Sequence, residues 1–356
     1  MIDLMKYKFD EIIEDCTKYG LKIPTNDYLE KGKFPIIDQG QDFIAGYSNS
    51  DNGIYSDVPA IIFGDHTRIF KYVDFPFFLG ADGVKILKAR KEISYKYLFY
   101  YFLQAKFPNT GYARHYKWLK ELEIPVPTIE KQKSIVNNLD KVTKIIKAHK
   151  ILLEKYDTLI KSRFIEMFGD PVQNPMGWEV KKLGDICTKI SDGVHAKPEY
   201  TATGKPFISV VNINSGKLLF DDCKYVSEEA YEKMIKSTHP EKGDILYTKV
   251  GATYGIPALV DTDRAFCLYV SVALLKPKSE IVNSQFLTTS MAQPYIKNQA
   301  DKRIKGIGVP DLHLNQIREF EVLVPPLELQ NQFNSFVQQI DKSKFEIEKI
   351  VKMGYN

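Results

Sequence analysis

One short phrase occurs twice in this chain, as IPVPTIEKQKSI at Ile124–Ile135 and as VLVPPLELQNQF at Val322–Phe333. In each phrase proline ends an extended run, because it cannot continue a strand ladder, and an acidic residue follows in the first turn of a helical pattern. The phrase therefore predicts a junction, where a folded domain ends and a long helix begins. A shift of 198 residues aligns identical residues, pairing Val126, Pro127, Glu130 and Gln132 with Val324, Pro325, Glu328 and Gln330.

The likeness between the two halves extends upstream of the phrase. The shift of 198 residues also pairs His115 with His313. Near the start of each copy, Cys16–Lys18 matches Cys187–Lys189 at a shift of 171 residues. The growth of the shift indicates extra loop residues in the second copy. Because an internal repeat decides how a fold is interpreted, we take the chain to be two copies of one domain plan.

Each copy mixes strand-like and helix-like patterns, which predicts an α+β domain with a twisted sheet. Short β-rich runs are bounded by Gly, Pro, Asn and Asp, as strands and turns are. One helix-like stretch follows the third run of each copy, at Tyr95–Gln104 and at Ser284–Lys297. The strand-like runs are FPIIDQG, PAIIFG and GVKILKA in the first copy, and KPFISVVNI, GDILYTKV and YVSVALLKP in the second.

A heptad pattern follows each phrase. Apolar residues spaced by three and four residues predict a helix face that packs as a left-handed coiled coil. At 1.5 Å per residue, 129–168 would form a helix of about 60 Å and 328–352 one of about 38 Å. The seam positions are Ile135, Leu139, Val142, Ile146, His149, Leu153, Tyr156 and Ile160 in the first helix, and Phe333, Phe336, Ile340, Ile347 and Ile350 in the second.

These patterns divide the chain into four segments. Thr128 is suited to cap the first long helix, and Glu130 adds negative charge to its first turn. We predict a first domain at 1–127, a central helix at 128–169, a second domain at 170–326 and a shorter C-terminal helix at 327–356.

Charge narrows the class of protein without deciding it. The chain carries 49 basic and 45 acidic residues, a net charge of +4. The charges balance at 17 of each sign in 1–128 and 19 of each sign in 169–327, whereas 129–168 carries 9 basic against 5 acidic residues. A dedicated non-specific nucleic-acid binder is usually more basic. Charge therefore permits DNA binding but does not argue for it.

Cysteine usage and the N-terminus favour the cytoplasm. The four cysteines form no CxxC pair, which predicts reduced thiols and neither a disulfide framework nor a zinc site. The N-terminal MIDLMKYKFD lacks the apolar core of a signal peptide, and no apolar run is long enough to span a bilayer.

Motifs for catalysis are missing from the sequence. There is no GxxxxGK[ST] loop and no Asn-Pro-Pro-aromatic motif of an amino-methyltransferase. The six histidines show no i,i+3 or i,i+4 pairing, so no metal site is predicted. Pro310-Asp311 with Glu319 and Glu321 lacks the lysine of a PD…ExK nuclease motif. We predict a chain without catalytic activity.

Two α+β domains, each followed by PxxExQ and a long heptad helix, resemble the specificity subunit of type I restriction–modification enzymes. Shorter motifs agree with this resemblance. WEVKKLGDI at Trp178–Ile186 is similar to the opening of a target recognition domain, and SRFIEMFGDP at Ser162–Pro171 is similar to the passage from the central helix into the second domain. The resemblance covers essentially the whole chain and rests on the order of its motifs.

The resemblance implies a non-catalytic, sequence-specific DNA-binding subunit. In such a subunit two duplicated target recognition domains are separated by two long helices, which pack as an antiparallel coiled coil. Each domain would bind one half-site of a bipartite double-stranded DNA target. In one respect the sequence departs from the family, because the second helix is shorter than the first, whereas the family's second helix is often comparable to it.

The resemblance also implies partner subunits that carry the chemistry. Two modification subunits would bind S-adenosylmethionine and methylate adenine N6, and restriction subunits would use ATP and Mg²⁺ for translocation and cleavage. The chain itself would need no cofactor. Two other interpretations stay open at this point: a coiled-coil adaptor whose domains bind proteins, which neutral domain charge favours, and an unrecognised nuclease or methyltransferase.

Polar and basic side chains in loops beside the predicted strands are the candidates for DNA contact, because such side chains hydrogen-bond to base edges. The clusters Arg114–Lys117 and Lys302–Lys305 occupy matching places before each junction. We expect alanine at Arg303 and Lys305 to weaken specific DNA binding without unfolding the protein. The candidates are Gln39, Gln41, His66, Arg68, Arg114, His115, Tyr116 and Lys117 in the first domain, and Ser191, His195, Lys197, Lys249, Thr253, Lys302, Arg303, Lys305 and His313 in the second.

The helix seam is the candidate surface for spacing and partner docking. The basic excess on 129–168 has three interpretations: a solvated helix face, a tract along the DNA backbone, or a docking face for a modification subunit. The residues predicted to serve as spacer or docking surface are Ile135, Leu139, Val142, Ile146, Leu153, Tyr156, Ile160, Phe333, Phe336, Ile340 and Ile347.

Overall fold

The chain divides into two compact units, Met1–Lys147 and Ala148–Asn356. The division falls inside the longest helix, Ile129–Phe168, so the four segment boundaries remain a prediction. Each unit combines helices with sheets, as the α+β prediction requires. The computed structural model describes residues 5–80, 83–108, 113–304 and 308–353.

The strands of the first unit are β1 (Lys6–Lys8), β2 (Ile13–Asp15), β3 (Phe34–Ile37), β4 (Gly46–Ser48), β5 (Ala60–Gly64), β6 (Phe70–Val73), β7 (Phe78–Leu79), β8 (Val84–Ala89) and β9 (Glu123–Pro125). Strands β2, β8, β5 and β6 form a four-stranded antiparallel sheet in that order. Strands β4, β3 and β7 form a second sheet, in which β3 and β7 run parallel. The first and last strands, β1 and β9, pair with each other.

The helices of the first unit are α1 (Phe9–Ile12), α2 (Tyr95–Leu103), α3 (Tyr116–Leu119) and the first part of α4 (Ile129–Phe168). Helix α2 confirms the prediction for Tyr95–Gln104. It begins at Tyr95 because the hydroxyl of Ser94 accepts a hydrogen bond from the backbone N–H of Tyr97. Its buried face packs on the four-stranded sheet, where Phe102 lies 5.5 Å from Phe70 between ring centroids.

The strands of the second unit are β10 (Glu179–Lys182), β11 (Cys187–Asp192), β12 (Lys205–Ile208), β13 (Lys224–Val226), β14 (Ile245–Thr248), β15 (Pro257–Leu259), β16 (Cys267–Leu268), β17 (Val272–Pro277) and β18 (Glu321–Val324). Their sheets are β11-β17-β14-β15, β13-β12-β16 and β10-β18. This order repeats β2-β8-β5-β6, β4-β3-β7 and β1-β9 strand for strand. The two copies of one domain plan are thereby confirmed.

The strand registers also align the two copies residue by residue. Lys8 faces Glu123 across β1 and β9, and Lys182 faces Glu321 across β10 and β18. The shift is therefore 198 residues at the last strand of each copy, as predicted, but 174 at the first.

The predicted pairing of Cys16 with Cys187 is wrong by three residues. Cys187 begins β11 directly after α5, and so takes the place of Ile13, which begins β2 after α1. Identical letters at Cys16–Lys18 and Cys187–Lys189 coincide by chance, whereas the strand pairing fixes the true register.

The helices of the second unit are the latter part of α4, α5 (Leu183–Ile186), α6 (Glu228–Met234), α7 (Ser284–Met291), α8 (Pro294–Arg303), α9 (Leu314–Arg318) and α10 (Leu327–Met353). The single helix predicted at Ser284–Lys297 is wrong, because the chain forms α7 and α8 there. Pro294 has no N–H to continue α7 and instead occupies the first turn of α8. Helices α6 and α8 contribute to the extra length of the second copy.

The glutamine of each repeated phrase joins the long helix to its domain. Gln132 is buried, accepts a hydrogen bond from the backbone N–H of Ser94 (2.9 Å) and donates one to the carbonyl of Pro127 (2.8 Å). Gln330 accepts from the N–H of Asn283 (2.8 Å) and donates to the carbonyl of Pro325 (2.7 Å). Ser94 and Asn283 are the N-caps of α2 and α7. The same hydrogen-bonded junction between a domain and a long helix therefore forms in both copies.

In the second unit, the latter part of α4 packs against α10 through an aromatic cluster of Phe164, Phe168, Phe286 and Phe333. The two helices run antiparallel here, because Phe164 contacts Phe333 whereas the earlier residue Asp157 pairs with the later residue Lys344.

Candidate nucleic-acid interface

In the first unit, loops meet at the end of the four-stranded sheet where β5 finishes. Asp65 follows β5 directly, is 4% exposed, and donates its backbone N–H to the carbonyl of Gly83 (2.7 Å). Its carboxylate accepts a hydrogen bond from the N–H of Tyr116 (2.7 Å), and its carbonyl accepts one from the N–H of His115 (2.8 Å). These bonds hold the segment before α3 at the end of β5.

Gln39 and His66 lie at the same end of the sheet. The backbone N–H of His66 donates to the side-chain oxygen of Gln39 at 3.2 Å. Gly83 has a φ of +87°, and a Cβ there would lie 2.8 Å from Gln39 Nε2 and 2.9 Å from His66 Cδ2. Only glycine fits this close approach without displacing a neighbour. The structure thus brings together Gln39, His66 and His115, which the sequence proposed separately.

His115 and Tyr116 pack inside the domain beside the loop that follows β5. His115 is 1% exposed, with Nδ1 3.1 Å from the carbonyl of Asp65. Tyr116 packs edge-on against Phe9 at 6.0 Å between ring centroids. Burial, with the nearby charge of Asp15, raises the pKa of the Tyr116 hydroxyl well above its ordinary value, so it stays neutral.

The other candidates of the first unit are exposed. Arg68 adopts the left-handed backbone conformation, with a φ of +62°, and its N–H donates to the carbonyl of Gly64 (2.7 Å). This conformation is uncommon for arginine, and such backbone strain concentrates at functional sites. The exposed candidates are Gln41, Arg68, Arg114 and Lys117.

A buried lysine holds the loop that carries Gln39 and Gln41. Lys71 lies on β6 and is 4% exposed. Its ammonium group lies 3.5 Å from the carboxylate of Asp38 and donates a hydrogen bond to the carbonyl of Asp42 (2.5 Å). Both ends of the 38–42 loop are therefore attached to one side chain.

A second buried lysine occupies the corresponding end of the sheet in the second unit. Lys249 follows β14 as Asp65 follows β5, and is 5% exposed. Its ammonium group lies 3.4 Å from a carboxylate oxygen of Asp192 and 3.5 Å from one of Asp311. Its backbone N–H donates to Ser271, and its carbonyl accepts from Leu312. Lys249 thus joins three segments of the domain.

Further candidates of the second unit lie around this lysine. His195 is exposed, with Nε2 3.5 Å from the carboxylate of Asp192. Ser191 accepts a hydrogen bond from the hydroxyl of Thr238 (3.3 Å). Thr253 is exposed, and its carbonyl accepts a hydrogen bond from the hydroxyl of Thr248 (2.7 Å). His313 is an exposed N-cap of α9, two residues after Asp311.

The remaining basic candidates of the second unit differ in what their side chains contact. Arg303 donates to the carbonyls of Gln299 (2.9 Å) and Glu319 (3.1 Å), and its guanidinium lies 5.2 Å from the ring centroid of Phe320. Arg303 therefore binds its own domain. Lys302 is exposed, Lys197 is exposed with its ammonium 5.8 Å from the ring of Tyr200, and Lys305 lies outside the described residues.

The predicted helix seams are only partly reproduced by burial. On α4, Val142 is exposed, whereas the remaining seam residues are half-buried: Ile135, Leu139, Ile146, His149, Leu153, Tyr156 and Ile160. On α10, Phe333 and Ile347 are buried, Phe336 and Ile340 half-buried, and Ile350 exposed. Val337 and Lys344 are buried seam positions that the sequence analysis missed. A lysine in a heptad pattern is ordinarily taken for a surface residue, so the pattern does not predict that Lys344 is buried. In the structure Lys344 is paired with Asp157.

Local sequence patterns do not indicate the charged residues that hold the loops, which are Asp38, Asp65, Lys71, Asp192 and Asp311. Asp192 and Asp311 lie 57 and 62 residues from Lys249 along the chain (249 − 192 and 311 − 249). No local pattern links residues so far apart. Lys71 carried one weak signal, since it interrupts the apolar run of β6.

Two buried cysteines of the second unit are not activated as nucleophiles. Burial raises the pKa of the Cys187 and Cys267 thiols to about 12, so neither is a thiolate near neutral pH. Within 5–80, 83–108, 113–304 and 308–353, no group of three or more His, Cys, Asp or Glu side chains could hold a metal ion. In the same part of the chain, no helix has both the length and the apolar character needed to cross a membrane.

A family model described as "Type I restriction modification DNA specificity domain" matches residues 1–155 and 175–352. The chain belongs to this family. The two matched stretches correspond to the two copies that share one strand order. Specificity subunits of type I systems are non-catalytic, and the prediction of a chain without its own catalytic activity is thereby confirmed.

Individual members of the specificity family resemble the chain at moderate identity. The MjaVIII specificity subunit of Methanocaldococcus jannaschii is 26% identical over 319 residues, which cover 78% of this chain and 74% of that protein. The EcoR124I/EcoR124II specificity subunit of Escherichia coli is 29% identical over 240 residues, covering 61% of this chain and 56% of that protein. The crystal structure of a type I restriction–modification S subunit from M. genitalium has a TM-score of 0.60 at 16% identity and covers 100% of this chain and 94% of that chain.

Proposed function

We propose that this specificity subunit binds a bipartite double-stranded DNA target, with one half-site per recognition domain. The observation that carries the proposal is the repetition of the strand order, with loops gathered at the same end of the sheet in each copy. Two domains of one plan but different loop residues suit two half-sites of different sequence. The segments 1–127 and 170–326 would be the target recognition domains.

We infer that thirteen of the candidates make the DNA contacts and that the other four, His115, Tyr116, Lys249 and Arg303, position them. His115 and Lys249 are too buried to reach a base edge without rearrangement. The guanidinium of Arg303 donates hydrogen bonds to carbonyls of its own domain. Alanine at this position should therefore lower the stability of the domain as well as its binding to DNA. The proposed contacts are Gln39, Gln41, His66, Arg68, Arg114, Lys117, Ser191, His195, Lys197, Thr253, Lys302, Lys305 and His313.

The long helices, 128–169 and 327–356, are proposed to set the distance between half-sites and to dock the partners. Helix α4 has 40 residues and spans about 60 Å, on the order of two turns of B-DNA. We propose two modification subunits that carry S-adenosylmethionine, with restriction subunits that use ATP and Mg²⁺, acting on DNA in the cytoplasm. The adaptor hypothesis loses its support, because membership of a DNA specificity family outweighs the neutral charge of the domains.

The proposal is tested by co-expressing the chain with an adenine methyltransferase that carries an Asn-Pro-Pro-Phe motif and is encoded beside it. Methylated adenines in the host DNA are then mapped by sequencing. We expect one bipartite motif with a fixed gap, present only when the chain is present. Methylation at the same positions without the chain would refute the proposal.

A further inference from the structure

Each recognition domain contains a buried lysine whose ammonium group joins the loops that carry the proposed DNA contacts. Lys71 holds the loop of Gln39 and Gln41 through Asp38 and Asp42. Lys249 holds the strand end before His195 through Asp192, and the segment before His313 through Asp311. Lysine is seldom buried unless it is paired, because desolvation of the charge is costly.

Neither lysine is placed to contact DNA itself. The side chain of Lys71 is 4% exposed and that of Lys249 is 6% exposed, so each ammonium group is paired inside the protein. A hydrophobic residue of similar volume would fill either site at lower desolvation cost. What the lysine adds is geometry, because its ammonium group holds two groups at once. Lys71 holds the Asp38 carboxylate and the Asp42 carbonyl at the two ends of one loop. Lys249 holds carboxylates from two different segments.

The two lysines are not copies of one ancestral residue. Lys71 lies on β6 opposite Ile62, whereas the position opposite the equivalent Leu246 on β15 is Ala258. Lys249 occupies the place of Asp65, so the charge at the end of the central strand is inverted between the domains. Both domains therefore use a buried lysine to hold acidic loop residues, but the lysine occupies a different position in the sheet of each domain.

We propose that Lys71 and Lys249 are specificity-positioning residues, each of which fixes the loop geometry that determines one half-site. The inference rests on the proposed bipartite function. A loop that carries base contacts discriminates only if its side chains are held in place, because a misplaced hydrogen bond to a base edge no longer rejects the wrong base. Loss of either lysine should relax one half-site and leave the other intact.

The test uses the chain assembled with its modification subunits and compares Lys71→Met with Lys249→Met. Methylated motifs are mapped for each complex. We expect discrimination at one or more base positions to fall about tenfold, the scale of one lost base contact, in a different half-site for each variant. Lys242→Met is the matched control, because Lys242 is exposed and pairs with Asp263 outside this site; it should leave both half-sites unchanged.

A second pair of variants keeps the test independent of folding. Asp192→Asn and Asp38→Asn retain side-chain volume and should relax the same half-sites as Lys249→Met and Lys71→Met respectively. A merely destabilised domain would lower methylation at every site without changing the motif. Relaxation of both half-sites, or of neither, in folded variants overturns the inference.

Salt dependence separates a positioning lysine from a phosphate contact. The slope of log K against log salt should stay at the wild-type value in Lys249→Met, whereas loss of one phosphate contact would reduce it by about 0.9. A reduced slope would reassign Lys249 as a backbone contact. If the wild-type complex shows no bipartite motif at all, the proposed function fails instead, and the two failures are distinguishable.

Discussion

At the scale of single residues, the repeated glutamine explains why the phrase is repeated. A buried amide can accept a hydrogen bond and donate one at the same time, which neither glutamate nor leucine can do. Gln132 and Gln330 use both abilities, each linking the N-cap of a domain helix to a proline carbonyl of the junction. The side chain therefore fixes where the long helix leaves the domain.

Replacing Gln330 by leucine should destabilise the second unit. The change removes partners from the N–H of Asn283 and from the carbonyls of Ile281 and Pro325. We expect the free energy of unfolding to fall by about 2–3 kcal/mol, as for buried groups left unsatisfied. Urea denaturation measures the change. The matched control is Gln332→Leu on the exposed face of α10, which should change stability by less than about 0.5 kcal/mol.

Residue-level expectations from the sequence succeed for repeats and fail for distant pairs. The sequence alone shows that Gln132 and Gln330 occupy matching positions. Their hydrogen-bond partners are known only from the folded structure. The sequence predicts Lys249 as a DNA contact because it follows a strand, and only the fold brings Asp192 and Asp311 to it. Sequence reasoning lists which side chains are polar, whereas tertiary structure decides which of them are already paired.

At the scale of elements, the contact between α4 and α10 depends on aromatic packing. Phe333 is fully buried among Phe164, Phe168 and Phe286. Phe345 lies on the same helix and is 56% exposed. The heptad spacing predicted the buried position of Phe333, but it missed Val337 and Lys344 because burial follows the partner helix as well as the period.

Phe333→Ala should lower the free energy of unfolding by about 3–5 kcal/mol, since it removes a buried ring and leaves a cavity. Phe345→Ala is the control on the same helix and should cost less than about 1 kcal/mol, because most of its ring is already in solvent. Thermal and urea denaturation report both values. Equal losses for the two variants would contradict the packing described for this cluster.

A polar contact joins α2 to α4 in the first unit. The carboxylate of Asp140 accepts hydrogen bonds from Lys96 (2.8 Å) and from the hydroxyl of Tyr100 (2.6 Å). Partial burial acts to raise the pKa of Asp140, but the bonds from Lys96 and Tyr100 outweigh it and lower the pKa below its ordinary value. The ionised form is therefore the one that stabilises the contact.

A group with a lowered pKa in the folded state contributes stability above its unfolded pKa and loses it as the pH falls through the folded value. Asp140→Asn should thus reduce the free energy of unfolding by less than about 1 kcal/mol at neutral pH, since the pair is partly exposed. The difference from wild type should shrink as the pH falls through the lowered pKa of Asp140 and vanish once the carboxyl group is protonated in both the folded and the unfolded state. Urea denaturation at several pH values measures it, with the exposed Asp27→Asn as control. A difference that persists unchanged at low pH would remove the assigned role of the ionised carboxylate.

At the scale of the whole molecule, each α+β domain is followed along the chain by a long helix. The α+β class, the duplication and the long helices were predictable, because they depend on periodicity and on a repeat that spans the chain. The break between α7 and α8 and the register at the start of each copy were not predicted correctly. In the first case Pro294 interrupts the helical pattern and starts a new helix. In the second, the pairing of strands sets the register, and a three-residue identity does not.

If α4 is the spacer that we propose, lengthening it should change the gap between half-sites and not their sequences. Seven residues added to α4 would extend it by about 10 Å, roughly three base pairs, while turning the helix face by only about 20°. Mapping of methylated adenines in the assembled complex gives the new gap. Replacing seven residues without adding any serves as control and should preserve the gap. An unchanged gap after a folded insertion would contradict a spacer role for α4.

The pairing of the first and last strands of each domain has a consequence for how such chains can change. Because β1 lies beside β9 and β10 beside β18, the entry and exit of each domain are neighbours. A domain bounded in this way can be cut out, exchanged for another or reconnected through new termini without rerouting the helices. Recombination between two genes at the repeated phrase would then exchange a whole domain in one event and leave the joint at Gln132 or Gln330 intact.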